Sequence, residues 1–226
     1  MRIAYLTQSY FPMASSGAIF ARQLAEAMLT LGHQVLVITA SDKDHHYHTY
    51  RENLTIVRLG SIRDPFHTGE RMFLHPHRSI IKTLTQFQPD IIHIYASIQI
   101  GMSALGYAKR VNIPILLTVR ASGTPALSPL FKPMFEGLYW WYAGQVIRQY
   151  NAILVPTETM EIQITRMTGC KSIAILTENH TSMEIFEKYE RIYHKTLSES
   201  SGGRKLPSLW QRVKEKLISI LNNAGY

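Results

Sequence analysis

Cysteine is almost absent from this chain: Cys170 is the only one in 226 residues. That excludes a disulfide framework and a zinc site built on several thiolates, and it suits a reducing compartment. With Lys171 as its one activating neighbour, Cys170 reads as structural. Long apolar runs are missing too. One long uncharged stretch, Ile91 to Ala108, holds His93, Gln99 and several small or hydroxyl residues, and is too polar to cross lipid. The opening apolar run, Ile3 to Leu6, stops at Thr7-Gln8-Ser9, too short for a signal peptide. A cytoplasmic protein able to rest on a membrane surface is the expectation. Acidic residues are few, 16 against 24 Lys and Arg, for a formal net charge of +8. Such a surplus points to an anionic partner: nucleic acid, an anionic membrane or a phosphorylated ligand. No P-loop, GxSxG, HExxH or GxGxxG pattern occurs.

What is present suffices for a core: 46% of residues are hydrophobic and 18% charged. Short apolar runs alternate with helical patterns. Strands are expected at Arg2–Thr7, Gln34–Thr39, Thr55–Leu59, Ile91–Tyr95, Ile115–Val119, Ala152–Val155 and Ser172–Leu176. Helices are expected at Ala18–Leu31 (ended by Gly32), Arg78–Gln88, Ile98–Val111, about Met134–Tyr150, and Glu158–Met167. Ala40–Arg51 reads as a histidine-rich loop, and Ser61–Pro76 as irregular. Nearly continuous apolar strands alternating with helices predict an α/β fold. The expected form is a doubly wound, mostly parallel, Rossmann-like sheet with C-terminal helices.

Three stretches carry a family resemblance. The opening MRIAYLTQSYFPMASSGAIFARQLAEAMLTLGHQVLVIT, the block QPDIIHIYASIQIGMSALGYAKRVNIPILLTVR and the block YNAILVPTETMEIQITRMTGC occur in that order. Together they resemble the N-terminal half of a GT-B glycosyltransferase of the family-four retaining type. The family's donor-domain signatures do not appear. Instead TENHTSMEIFEKYERIYHKTL follows, similar to the helix that ends such enzymes and crosses back onto the N-terminal domain. The resemblance implies residues 1–176 as that domain and 177–198 as the returning helix; beyond it, composition and helical spacing give a linker at 199–207 and a basic amphipathic helix at 208–226.

The resemblance also marks substrate-binding candidates. Ser15-Ser16-Gly17 follows the first strand; Ser16 and Gly17 either face a ligand at a helix N-terminus or form a plain turn. Tyr95, ending its strand, is a cleft candidate. Arg120 stands where the family has a histidine; it cannot act as an acid or base, and reads equally as an anion ligand or an exposed loop residue. No catalytic residue is assigned. His93, inside a strand, reads as a hydrogen-bonded core residue, and Thr157 with Glu158 as a helix cap. His45-His46-Tyr47-His48 and His75-Pro76-His77 lack a supporting carboxylate or cysteine, so no metal site is expected. No cofactor is expected; a nucleotide sugar enters as substrate only with a donor domain.

Two functions compete. One is a glycosyltransferase acting on a lipid or saccharide, incomplete and inactive unless a separate donor-domain chain joins it. The other is a non-catalytic lipid- or protein-binding module derived from an acceptor domain. Nucleic acid is not an expected partner, for lack of a recognisable motif. An anionic membrane is: from Phe186 on, eight basic residues face four acids, and the segment after Pro207 pairs an apolar stripe including Trp210 with Arg212, Lys214 and Lys216. Those apolar faces read equally as packing surfaces.

Overall fold

The computed structural model describes residues 1–43, 45–63, 71–73, 76–95, 98–119, 141–169, 173–175 and 182–200. The expectations for Arg120, Cys170, the segment 134–140 and the helix at 208–226 lie outside them.

The strands are β1 (Arg2–Thr7), β2 (Gln34–Ala40), β3 (Tyr47–Arg51), β4 (Leu54–Leu59), β5 (Ser61–Arg63), β6 (Arg71–Phe73), β7 (Ile91–Tyr95), β8 (Ile115–Thr118), β9 (Ala152–Val155) and β10 (Ile173–Ile175). The helices are α1 (Ser16–Thr30), α2 (His77–Phe87), α3 (Ile98–Val111), α4 (helical residues 141–147), α5 (Glu158–Thr168) and α6 (Ser182–Ser200).

One sheet runs β10-β9-β8-β7-β1-β2-β4-β3. Its pairs are parallel except β3–β4. Strands β8, β7, β1 and β2 are adjacent there and bury nearly every residue. Successive side chains of β1 alternate between two cores. Ala4 and Leu6 pack with Ile80, Leu84, Ile100 and Ala104; Ile3 and Tyr5 pack with Leu24, Met28, Phe186 and Tyr193. Helices therefore cover both faces, as nearly unbroken apolar strands require. Close packing shows at Gly101 in α3, where an added Cβ would collide with the Tyr150 hydroxyl.

Two local expectations are corrected. Residues 47–51 are a strand, not part of a loop: β3 pairs antiparallel to β4 at the sheet edge. It is half-buried or exposed at every position, so it carries no apolar alternation to read. Residues 61–63 and 71–73, expected to be irregular, form an antiparallel ribbon. Helix α1 starts two residues earlier than expected because Ser15, not a later residue, caps it. Its end matches expectation, with Gly32 at φ +80° just past the Leu31 cap.

Helix α6 lies against the sheet beside α1. Phe186, Tyr189, Tyr193 and Thr196 are buried on one face, at helical spacing. Phe20 of α1 meets Phe186 and Tyr189 at 6.1 and 6.0 Å between ring centroids. At the other end of the contact, Glu190 Oε1 lies 2.8 Å from His33 Nε2, and His33 Nδ1 lies 3.3 Å from the Met1 amino group.

Candidate functional site

Strand order reverses between β1 and β7: β2 and β4 follow on one side, β8, β9 and β10 on the other. Open α/β sheets bind ligands in the crevice outside the carboxyl ends of such a pair. Both of these strands deliver candidate residues there.

After β1, the chain passes through residues 8–15 into α1. Ser15 has extended geometry, and its Oγ accepts from the Ala18 N–H at 3.1 Å. It also shares a hydroxyl–hydroxyl bond of 2.9 Å with Ser9. With Ala18 capped, the amides of Ser16 and Gly17 lead the helix into the crevice, where first-turn N–H groups have no intrahelical acceptor. Ser16 is exposed and Gly17 half-buried. An added Cβ at Gly17 would sit 3.6 Å from both Ser9 Oγ and Tyr95 Cε1, an ordinary contact. Tyr95, at the end of β7, thus lies directly under Gly17. It is buried, with Phe20 stacked on it at 5.4 Å and 15°. Three of the four candidates therefore meet at the switch point, Ser16 and Gly17 on its surface and Tyr95 in its wall. Arg120 follows β8 and lies outside the described residues.

Sequence reasoning passed over Arg58. It is 4% exposed near the carboxyl end of β4. Its guanidinium donates to the Phe11 carbonyl in the loop before α1, and Nη1 lies 3.5 Å from Asp42 Oδ1, an ion pair without a hydrogen bond. Tyr47 donates its hydroxyl to the same carboxylate oxygen. Burial works to raise the Asp42 carboxyl, but the Tyr47 bond and the charges of Arg58 and Lys43 outweigh it and hold it below its ordinary value. Burial, with the nearby Glu26 charge, pushes Tyr10 up to about 12. Arg58 therefore fastens the loop that leads to Ser16 and Gly17. The available signal was one charged residue inside the otherwise apolar TIVRL run.

His93 is a core residue, as expected. It is wholly buried and bonded on both nitrogens: Nδ1 to the Tyr193 hydroxyl at 2.6 Å, Nε2 to Thr118 Oγ1 at 2.7 Å. Tyr5 meets it edge-on at 5.1 Å. Burial pushes its pKa down from 6.5 to about 3, so the ring is neutral at ordinary pH. The unfolded chain takes up a proton here that the folded chain refuses. The stability linked to His93 is therefore complete above pH 6.5 and falls as pH drops toward 3. Between pH 7 and 5 the expected loss is about 2 kcal/mol. Unfolding free energies of wild type and His93→Gln at both pH values check this; equal slopes would exclude His93 as the source.

Thr157 caps α5 through Oγ1, which accepts from Met160 N–H at 3.3 Å, and Glu158 opens that helix. His77 Nδ1 bonds Ser103 Oγ at 3.2 Å. No helix among the described residues is long and apolar enough to cross a membrane.

A doubly wound sheet with a helix N-terminus over its switch point defines a Rossmann-like binding domain. The description of Glycosyltransferase Family 4 matches residues 17–177, and the chain belongs to that family, whose enzymes have the GT-B architecture. It is similar to alpha-monoglucosyldiacylglycerol synthase of Streptococcus pneumoniae, 29% identical over 118 residues, 52% of this chain and 26% of that protein. The protein of the same name from Acholeplasma laidlawii is 26% identical over 177 residues, 74% of this chain and 43% of that one. A GDP-mannose-dependent alpha-mannosyltransferase of Corynebacterium glutamicum is 26% identical over 51% of this chain and 28% of its own length. The chain thus spans between about a quarter and under half of these curated relatives. Among solved structures, UDP-GlcNAc 2-epimerase from Methanocaldococcus jannaschii aligns at TM-score 0.49 and 13% identity, over 78% of this chain and 45% of that one.

Proposed function

We propose that this chain is the acceptor-side half of a family-four glycosyltransferase, moving a sugar from a nucleotide sugar to a lipid or saccharide acceptor. The observation that carries this is the switch-point crevice, where the Ser16 and Gly17 amides stand above Tyr95 in a chain of that family. Such transfer needs donor and acceptor held together, which one wall of a cleft does not achieve. A donor-binding half, in the same polypeptide or another, completes the site. The glucosyl- and mannosyl-transferring relatives differ in their sugar, so the donor follows from that half.

A lipid acceptor at an anionic membrane surface is the favoured case. Phe11 and Ile19 are 51% and 53% exposed beside the crevice, and the Arg22 guanidinium lies 4.5 Å over the Phe11 ring. Aromatic and basic groups together suit a lipid–water interface. Two relatives are named for diacylglycerol products.

The test mixes the 226-residue chain with UDP-glucose or GDP-mannose and vesicles of diacylglycerol and anionic lipid. The chain alone is expected to bind the vesicles and transfer nothing; addition of a relative's donor half is expected to restore transfer. Sustained turnover by the chain alone would overturn the need for a second half. Failure to bind vesicles at low salt would overturn the lipid-surface reading.

A further inference from the structure

The placement of residues 47–51 in a strand changes what the histidines beside them can do. In a strand, alternate residues share a face. His46, immediately before β3, His48 and Tyr50 therefore form one row at the sheet edge. His46 Nε2 and His48 Nε2 lie 2.8 Å apart, with ring centroids 4.7 Å apart and planes at 79°. His48 is stacked on Tyr50 at 5.9 Å and 6°, which fixes its ring plane. Both histidines are exposed.

We propose that His46 and His48 form a two-imidazole chelate for a divalent transition metal with tetragonal preference, of the copper(II) or nickel(II) type. In the metal-free chain one ring's Nε2–H donates to the other's lone pair. On metal binding the donor ring shifts its proton to Nδ1, the hydrogen bond between the rings is given up, and each neutral ring supplies an Nε2 lone pair, with no net proton released.

The spacing selects the geometry. A metal about 2.0–2.1 Å from each nitrogen spans a 2.8 Å pair at an angle of about 90°. That is the angle between neighbouring ligands of a square-planar or tetragonal ion, whereas a tetrahedral ion needs the nitrogens roughly 3.3 Å apart. No third His, Cys, Asp or Glu joins the pair among the described residues. Water fills the remaining positions, so the site is open and exchangeable. None of this depends on the sugar-transfer reading.

The experiment titrates the full chain with copper(II) in a non-coordinating buffer at neutral pH, followed by calorimetry and electron paramagnetic resonance. One tight site per chain is expected, tetragonal, with two imidazole nitrogens in the pulsed spectrum. His46→Ala and His48→Ala should each weaken it by at least about tenfold, the least that losing even an outer partner of a metal site costs. His45→Ala should leave it unchanged. Both histidines are exposed, so the variants fold. A single-nitrogen spectrum in the wild type, or undiminished affinity in either variant, would overturn the proposal.

Discussion

Replacing Tyr193 by alanine is expected to destabilise the chain by about 4 kcal/mol, in the range for removing a large buried aromatic ring. The ring is fully buried between α6 and the sheet. Its loss opens a cavity beside Tyr5, Tyr189 and His93 and deprives His93 Nδ1 of its partner. The two contributions can be separated. Tyr193→Phe keeps the ring and removes only the hydroxyl, leaving one buried imidazole nitrogen unpaired, a loss of about 1–3 kcal/mol. Urea unfolding with an unchanged slope measures both. An alanine variant within 1 kcal/mol of wild type would mean that α6 does not hold to the sheet in solution.

Arg58→Met is expected to cost about 3 kcal/mol, because it removes one partner of a buried ion pair and frees the Phe11 carbonyl. Methionine keeps much of the volume, so the loss reports charge and hydrogen bonding more than packing. Arg58→Lys should rescue little: one ammonium does not reach Phe11 and Asp42 with the spread of a guanidinium. Adding Asp42→Leu to the methionine variant should recover part of the loss, since no uncompensated carboxylate then remains. Thermal unfolding gives the stabilities, and hydrogen exchange at residues 8–15 reports the loop. A methionine variant as stable as wild type, with unchanged exchange in the loop, would remove Arg58 from its positioning role.

The parts of the fold that could be read in advance are those where burial writes a pattern. Strands β1, β2, β7 and β8 are apolar on both faces because helices cover both faces. Gly32 marked the end of α1. Strand β3 wrote no such pattern, since neither of its faces is consistently covered. The places of Ser16, Gly17 and Tyr95 at the switch point were legible because strand ends and helix starts are local features, and a parallel sheet gathers them at one edge. Arg58 was not, because its partners Phe11 and Asp42 come from two other loops. Likewise a buried histidine could be foreseen at position 93, but not that one of its two partners stands 100 residues away.

That β1 lies in the middle of its sheet has a consequence for how the chain is made. Ile3 pairs with Val35 on one side and with Ile91 on the other. At a synthesis rate of about 5–20 residues per second, the second partner leaves the ribosome roughly 4 to 18 seconds after β1 does. Until then the strand has an unpaired backbone edge, and its Ala4 and Leu6 face still lacks α3, the kind of surface that recruits chaperones or other nascent chains. The β1–β2–β4 half can form early from its nearer neighbours. Of the described elements helix α6 comes last, closing over Tyr5 and His93 only after β7 has docked, so slow steps in refolding should report the joining of two halves rather than the formation of either.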